Sequence, residues 1–460
     1  MNQKSNNQEK FLRFRKEFPE FTYSGFEYRI SSNGLHVKYS FDLSGKYFFH
    51  PTLTIPYKQG IPFREIPVKN LENLLFQIGM IELVSYWKVA CPPCVKIAGY
   101  HLDKPCADWW KKLYFNGLGE FFYLNSIQAS PENFMDLCFN GIESPEPFRI
   151  TPGEGGLIPV GGGKDSAVTL ELLHGEPGNI PVILNPRGAS LDTLRVRGIG
   201  ENDFIGIQRT IDPELIRLNG EGFLNGHTPF SALLAFITSL AAVLSGKKYI
   251  ILSNESSANE PTVLEKEINH QYSKTYKFEK DFRDYFREYV TPDIEYFSFL
   301  RPVNELQIAH IFSGFPQYFP VFKSCNVGSK TDTWCGHCAK CLFTWIILSP
   351  FVSREKLITI FGRDLFSDLT LIPLLEGLTG SSETKPFDCI GTVNEVNTAL
   401  KVTLRQYGDA DLPGLLRFYR SSSAFTASGE EMEKQLIHHY NPEHFVPDHF
   451  LKILKGYIHD

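Results

Sequence analysis

One segment near the middle of the chain combines the residue types that bind phosphate groups. It reads Gly161, Gly162, Gly163, Lys164, Asp165 and Ser166. An apolar run at 157–160 precedes it and predicts a buried strand, while the apolar positions after Lys164 predict a helix that faces a sheet. Glycines permit a tight turn in which backbone N–H groups approach a ligand, and the unpaired N–H groups and dipole of a helix N-terminus favour negative charge. The segment therefore predicts an anion-binding loop between a strand and a helix.

Two common phosphate-binding patterns do not fit this loop. The Walker pattern needs Ser or Thr after its lysine and an earlier glycine at a fixed spacing, whereas Asp165 follows Lys164 here. A dinucleotide fingerprint fails because no Gly-x-Gly-x-x-Gly frames the turn. A purely structural turn, with glycines present for packing, is the simplest alternative. The order Gly-Gly-Gly-Lys-Asp-Ser resembles the pyrophosphate loop (PP-loop) of the ATP-pyrophosphatase superfamily, and this resemblance implies cleavage of ATP between its α- and β-phosphates.

A second group of chemically active residues consists of four cysteines. They are Cys325, Cys335, Cys338 and Cys341, and the last three fall within seven residues. Four thiolates at such spacings can converge tetrahedrally on one soft cation, of which Zn²⁺ is the commonest. Four protein ligands leave no open coordination position, so we interpret the cluster as a structural zinc site that clips a loop to a helix beginning near Leu342. An iron–sulfur cluster is the alternative.

Further polar side chains cluster at the predicted strand ends and helix starts. The candidates for proton transfer, metal binding or substrate contact are Asn225, His227, Asn254, Glu255, His270, Lys274 and the segment 301–305. Histidine titrates where proton transfer is useful, which makes His227 and His270 candidates for acid–base chemistry. His270 and Lys274 are four residues apart, a spacing that places both on one face of a predicted helix. Glu255 is a candidate for Mg²⁺ or substrate contact, whereas helix capping and turn formation are the structural alternatives for such polar residues.

The composition excludes several classes of protein. A net charge of −6 argues against a surface built to neutralise a nucleic-acid backbone. The N-terminus is polar and lacks the apolar core of a signal peptide, and the longest apolar stretch, 232–244, is too short to cross a bilayer. Nine cysteines without an export signal favour reduced thiols and metal ligands over disulfides. We therefore expect a cytoplasmic enzyme that acts on a small molecule, with neither nucleic acid nor membrane as a partner.

The elements that must position these groups alternate between strands and helices. Strands at 157–160, 181–184, 204–208 and 249–252, with an apolar helix at 231–244, predict an α/β fold. Its sheet should be parallel and doubly wound, with the ligand at the carboxyl ends of the strands. We expect residues 1–20 to form a disordered arm and 21–150 an N-terminal α+β domain with antiparallel strands. Residues 151–320 then form the nucleotide-binding domain, 321–400 the metal-clipped region and 401–460 a helical tail.

The combination of motifs resembles the UDP-N-acetylmuramoyl-L-alanyl-L-glutamate epimerase (MurL) family. The segments that carry the resemblance are 81–88, 116–123, 159–166, 224–229, 254–257, 267–274, 300–302, 324–326, 334–335, 338–341 and 385–391. The resemblance covers residues 21–391 and implies a PP-loop (HUP-like) ATPase domain. It also implies inversion of the terminal L-glutamate of UDP-MurNAc-L-Ala-L-Glu to D-glutamate for peptidoglycan biosynthesis. ATP and Mg²⁺ would be required, and AMP and pyrophosphate would be released.

The resemblance also implies roles for individual residues. Adenylation of the α-carboxylate removes its charge, so that a base can remove the α-proton and an acid can return one to the opposite face. His227 and His270 would form this pair, with Lys274 as the second choice, and Asn254 would join the loop in binding the nucleotide. Two other enzyme classes stay open: a PP-loop ligase that forms an amide or nitrile, and a tRNA-thiolating enzyme. A non-catalytic nucleotide-binding module is the remaining alternative.

Overall fold

A mixed sheet of eleven strands runs through both halves of the chain. The computed structural model describes residues 6–263, 268–408, 411–427 and 438–458. Its strands are β1 Glu20–Ser31, β2 Gly34–Leu43, β3 Tyr47–Phe49, β4 Thr52–Pro56, β5 Cys94–Ile97, β6 Asp136–Phe139, β7 Gly156–Pro159, β8 Ile180–Leu184, β9 Ile205–Arg209, β10 Tyr249–Leu252 and β11 Glu295–Ser298. They are ordered β11-β10-β7-β8-β9-β4-β2-β1-β5-β6, and β3 pairs with β2.

Helices cover this sheet and build the C-terminal third of the described chain. In the N-terminal half they are α1 Gln8–Glu17, α2 Val68–Trp87, α3 Lys104–Gly117, α4 Gly119–Leu124, α5 Lys164–Leu172, α6 Gly188–Val196, α7 Pro213–Gly220 and α8 Phe230–Ser245. They continue as α9 Tyr276–Tyr289, α10 Glu305–Ser313, α11 Ala339–Leu348, α12 Arg354–Phe361, α13 Ile372–Thr379, α14 Val393–Tyr407, α15 Gly414–Arg420, α16 Ser423–Ala427 and α17 Asp448–Ile458.

The first strands form the antiparallel sheet that their alternating pattern predicts. β1 pairs antiparallel with β2, and β2 pairs antiparallel with β4. The disordered arm expected at 1–20 is wrong for residues 8–17, which form α1; residues 1–5 lie outside the described chain. Phe11 and Phe14 are three residues apart on α1, and both are buried in the core of the N-terminal sheet. Their burial stabilises this helix, which the charged composition of the segment did not predict.

Strands β7 to β11 form the parallel part of the sheet. β7 lies between β8 and β10, so the chain winds outward from β7 in both directions. The four strands predicted in this region are confirmed, with ends that shift by at most one residue. Leu157 faces the core that contains α2 and α8, while Ile158 faces the core that contains α5, α10 and α11. Helices therefore cover both faces, and the carboxyl end of β7 lies where a ligand is expected in such sheets.

One antiparallel pairing joins the two parts of the sheet. Leu53 of β4 pairs with Arg209 of β9. At the same junction the Arg209 guanidinium donates to both carboxylate oxygens of Glu82 on α2, at 2.9 Å and 2.5 Å, and both side chains are largely buried. Strands from both sides of residue 150 share one sheet. The domain boundary expected at residue 150 stays a prediction.

The C-terminal region packs on the parallel part of the sheet through its helices. Every residue of α11 is buried, and α11 contacts both α10 and α14. The described parts of 401–460 are helical at α14 to α17. Among the described residues, no helix has both the length and the hydropathy that crossing a membrane requires.

The Glu82–Arg209 pair gives a stability prediction. Glu82→Gln keeps the side-chain volume but leaves the Arg209 charge without its partner inside the protein, which typically costs about 3–5 kcal/mol. We expect a matching fall in the free energy of unfolding, measured by urea titration. Glu214→Gln breaks an ion pair with the exposed Arg217 on α7 and should change that free energy little. Equal changes in the two variants would contradict the importance of this junction.

Candidate functional site

The glycine loop after β7 packs closely against the backbone of neighbouring segments. Gly162 has φ of 85°, and a Cβ there would lie 2.7 Å from the carbonyl carbon of Ala189, so the position requires glycine. Its carbonyl accepts from the Lys323 amide at 2.8 Å. Gly163 precedes α5, which begins at Lys164 as predicted. A Cβ on the exposed Gly161 would meet nothing within 4 Å, so open space adjoins the loop at the start of a helix.

Three carboxylates converge on the first lysine of α5. Asp165, Glu255 and Glu305 have carboxylate oxygens within 4.8 Å of one another. The buried Lys164 ammonium donates to both Asp165 and Glu305. Burial raises the pKa of Glu305 to about 7; Lys164 acts against this rise, and the charges of Asp165 and Glu255 add to it. Burial and the charge of Asp165 also raise the pKa of Glu255. The cluster therefore favours a cation, since extra positive charge would relieve its mutual repulsion.

Neighbouring side chains fix the positions of these carboxylates. Arg301 lies fully buried and donates to the backbone carbonyl of Glu255 at 2.5 Å. Glu395 of α14 accepts from the Glu305 amide at 2.8 Å, at the start of α10. Asn254, expected to bind the nucleotide, follows β10 and donates to Ser298 Oγ at 3.1 Å. That contact ties β10 to β11, so a role for Asn254 at the nucleotide stays a prediction.

Two histidines and a glutamate form a second cluster. His270 Nδ1 lies 2.5 Å from Glu120 Oε2, His227 Nδ1 lies 3.6 Å from the same oxygen, and the two ring centroids are 4.4 Å apart. Burial and the nearby positive charges of His270, Lys88 and Lys274 lower the pKa of His227 to about 3. His227 is therefore neutral at neutral pH.

The segment that carries His270 and Lys274 is not the predicted α-helix. Residue 267 lies outside the described chain, and the described part contains only a 3₁₀ turn at Tyr272–Lys274. The expected placement of both side chains on one helical face is therefore wrong. The two residues still act at one place, because both interact with the thiol of Cys389: Lys274 Nζ donates to its Sγ at 3.2 Å, and His270 hydrogen-bonds to it.

Cys389 is the site residue that sequence reasoning missed most clearly. Desolvation acts against a charged thiol, but Lys274, His270 and Lys340 together lower the pKa of Cys389 to about 5. The pKa of His270 shifts in the opposite direction. Burial lowers this pKa, but hydrogen bonds with Cys389 and Glu120 raise it to about 10. Cys389 is therefore a thiolate next to an imidazolium at neutral pH.

The sequence signals for Cys389, Glu120 and Glu305 were present but not specific. Each lies inside or beside a segment that the family resemblance or the polar clusters marked. No local spacing connects them to the histidines, since Glu120 and His270 are 150 residues apart. Only the tertiary fold brings them together.

The four cysteines converge as their spacing predicts. Their Sγ atoms lie within 4.8 Å of one another, with separations of 3.8 Å (Cys325–Cys338), 3.7 Å (Cys335–Cys341) and 3.5 Å (Cys338–Cys341). Thiolates bound at about 2.3 Å around a tetrahedral zinc ion are about 3.8 Å apart, so the donor set fits such an ion. The amide of Gly328 donates to Cys325 Sγ at 3.1 Å, as expected for a metal-bound thiolate. The cluster can hold one metal ion.

Residues beside the metal ligands hold the segment that carries Cys389. Asn326, next to Cys325, donates to Asp388 at 2.8 Å. Lys340, between Cys338 and Cys341, donates to the backbone carbonyl of Cys389. The cysteine cluster therefore positions the thiol as well as the loop that it clips.

Comparison with known proteins identifies the family. The MurL N-terminal domain matches residues 13–299, and the MurL C-terminal domain matches residues 321–433. A UDP-N-acetyl-alpha-D-muramoyl-L-alanyl-L-glutamate epimerase of Xanthomonas oryzae pv. oryzae is 34% identical over 72% of this chain and 74% of its own. A protein of the same name from Salinispora tropica is 32% identical over 85% of this chain and 86% of its own. No solved structure matches the chain significantly. The chain therefore belongs to the MurL family.

Proposed function

We propose that this protein is an ATP-dependent epimerase that inverts the terminal L-glutamate of UDP-MurNAc-L-Ala-L-Glu in the formation of peptidoglycan precursors. The observation that carries the proposal is the position of Lys274. Its charge acts on Asp165 and Glu255 at the glycine loop, and also on Cys389 and His227 beside it. The glycine loop and the proposed proton-transfer cluster therefore both lie within range of the charge of one lysine. The names of the relatives give the substrate.

The glycine loop supports adenylation of the substrate. The N-terminus of α5 and the Lys164 ammonium suit the phosphates of ATP, while Asp165, Glu255 and Glu305 offer the oxygen ligands that Mg²⁺ prefers. When bound, Mg²⁺ supplies positive charge that neutralises the phosphates. The substrate α-carboxylate attacks the α-phosphorus of ATP, pyrophosphate leaves, and the carboxylate charge that opposes loss of the α-proton is gone.

The histidine cluster supports the inversion. His227 is neutral and accepts the α-proton, while His270 and Lys274 are protonated and can return one. The ring centroids of the two histidines are only 4.4 Å apart, which leaves no room for a carbon between them, since each proton-transfer contact needs about 3 Å. The histidines therefore serve one face of the carbon, and Lys274 is the better candidate for the other.

Hydrogen exchange at the α-carbon tests the proposed reaction directly. The full chain is incubated in D₂O with ATP, Mg²⁺ and UDP-MurNAc-L-Ala-L-Glu, and AMP, pyrophosphate, deuterium content and glutamate configuration are measured. We expect D-glutamate that carries deuterium at its α-carbon, formed together with AMP. AMP without deuterium incorporation would contradict epimerisation, and stimulation of AMP formation by added amine would identify a ligase instead.

His227 should contribute to proton transfer and not to adenylation. His227→Ala removes the neutral acceptor, so we expect α-deuterium exchange and epimerisation to fall about 10²–10⁴-fold. Substrate-dependent exchange of pyrophosphate into ATP should persist. His36→Ala on the exposed face of β2 is the matched control and should leave both rates unchanged. Parallel loss of both rates in the His227 variant would remove His227 from the proton-transfer step.

We assign structural zinc to the cysteine cluster. Elemental analysis of the purified chain should find about one zinc per molecule, and Cys338→Ser should lower both zinc content and melting temperature. Because Asn326 and Lys340 hold the Cys389 segment, this variant should also lose epimerase activity. Cys138→Ser, at an exposed position of β6, should keep its zinc. Iron and a visible absorption band in the purified protein would identify an iron–sulfur cluster instead.

A further inference from the structure

Cys389 differs from the other thiols outside the metal cluster. Burial raises the pKa of Cys91 and Cys106, and burial together with the neighbouring Cys138 raises the pKa of Cys94. Cys389 Sγ instead accepts a hydrogen bond from the Lys274 ammonium at 3.2 Å, and the Cys389 side chain remains partly exposed to solvent. A thiolate that is stabilised by cations and open to a ligand is a nucleophile rather than a structural residue.

The partners of Cys389 form a relay of three groups. His270 hydrogen-bonds to Cys389 and, through Nδ1, lies 2.5 Å from Glu120. Glu120 is on α4, His270 precedes the 3₁₀ turn at Tyr272–Lys274, and Cys389 precedes α14, so three distant segments converge. A nucleophile, a histidine and a carboxylate that orients the histidine are the arrangement that covalent catalysis at carbonyl groups uses.

The segment of Cys389 is held rigidly by contacts on both sides. Lys340 donates to the Cys389 carbonyl, and Gln271 donates to the Ile390 carbonyl at 3.1 Å. Lys385 donates to the Gly391 carbonyl at 2.9 Å. Such fixation suits a group that must meet a carbonyl carbon within a narrow range of angles.

From this geometry we infer that Cys389 attacks the acyl-adenylate and carries the substrate as a thioester. The inference rests on the adenylation proposed above. Sγ forms a bond to the acyl carbon, and the bond between that carbon and the AMP oxygen breaks, with its electron pair leaving on AMP. The α-proton is then removed and returned on the other face. Water attacks the acyl carbon and the C–S bond breaks with its electron pair leaving on sulfur, so that the carboxylate and the thiolate form and the two protons of the water are released.

Compared with an adenylate, a thioester favours removal of the α-proton for two reasons. AMP leaves before the α-proton is removed, so no phosphate charge lies beside the developing carbanion. The covalent bond also fixes the α-carbon next to Lys274 and His270, which both contact the sulfur. Proton transfer therefore occurs within one molecule, where fixed orientation is most effective.

The deciding experiment separates adenylation from release of AMP. Cys389→Ala and Cys389→Ser are assayed as full-length, zinc-bound proteins with UDP-MurNAc-L-Ala-L-Glu, ATP and Mg²⁺. We expect substrate-dependent pyrophosphate exchange to persist, because the thiol acts after adenylation. AMP formation and epimerisation should both fall at least 100-fold. Acid quenching of the wild-type reaction should leave a hydroxylamine-sensitive adduct, with the mass of the substrate acyl group, on the peptide that contains Cys389. Cys138→Ser serves as the control for an unrelated thiol.

The other outcomes overturn the inference. If the Cys389 variants still form AMP but lose deuterium exchange, Cys389 is an acid–base group and no thioester forms. If the variants keep both AMP formation and deuterium exchange, Cys389 is not catalytic. If they lose pyrophosphate exchange as well as AMP formation and epimerisation, the thiol acts before the transfer step. Absence of pyrophosphate exchange in the wild-type protein would instead show that the proposed adenylation is wrong.

Discussion

The buried ammonium of Lys164 is the interaction on which the arrangement of the site depends. A buried charge is costly unless it is paired, and removal of one partner leaves the other uncompensated. Lys164 begins α5 after the glycine loop and bonds to Glu305 at the start of α10. Glu305 in turn is held through its amide by Glu395 of α14. One lysine therefore links the loop at the switch point of the sheet to the helices of the C-terminal region.

The cysteine cluster extends this linkage to the thiol of Cys389. Its four thiols would occupy all four positions of a tetrahedral metal site, so its proposed contribution is mechanical. The two residues that reach the Cys389 segment, Asn326 and Lys340, are sequence neighbours of metal ligands. A metal-bound loop has little freedom to move, and the same holds for side chains that begin on it.

Local signals predicted the parts of the molecule that depend on local interactions. The strand–loop–helix at 156–172 and the convergence of the four cysteines follow from turn chemistry and ligand spacing, and the structure has both. The helix expected at 267–274 is wrong for the described residues 268–274, because a spacing of four residues is necessary for a shared helical face but does not create a helix. The disordered arm expected at 1–20 is wrong for residues 8–17, because Phe11 and Phe14 are buried by residues of the sheet that are distant in sequence. Glu120, Glu305 and Cys389 could not be assigned, since each acquires its partners from distant segments.

The balance of charge at the site favours the proposed binding of ATP together with a cation. The chain is negative overall, yet the charges of several cations act on Asp165 and Cys389 at the site: Lys164, Lys274, Lys340 and a protonated His270. Each of these cations already interacts with an anion of the protein: the carboxylates of the loop cluster, Glu120, or the Cys389 thiolate. A triphosphate and an acidic substrate add negative charge that these paired groups cannot neutralise. Burial is the main cause that raises the pKa values of Glu255 and Glu305, and the charge of the neighbouring Asp165 adds to it, so the cluster favours further positive charge. In the proposed reaction a divalent cation held there would compensate the protein and the phosphates together, so that the carboxylate cluster would favour adenylation rather than oppose it.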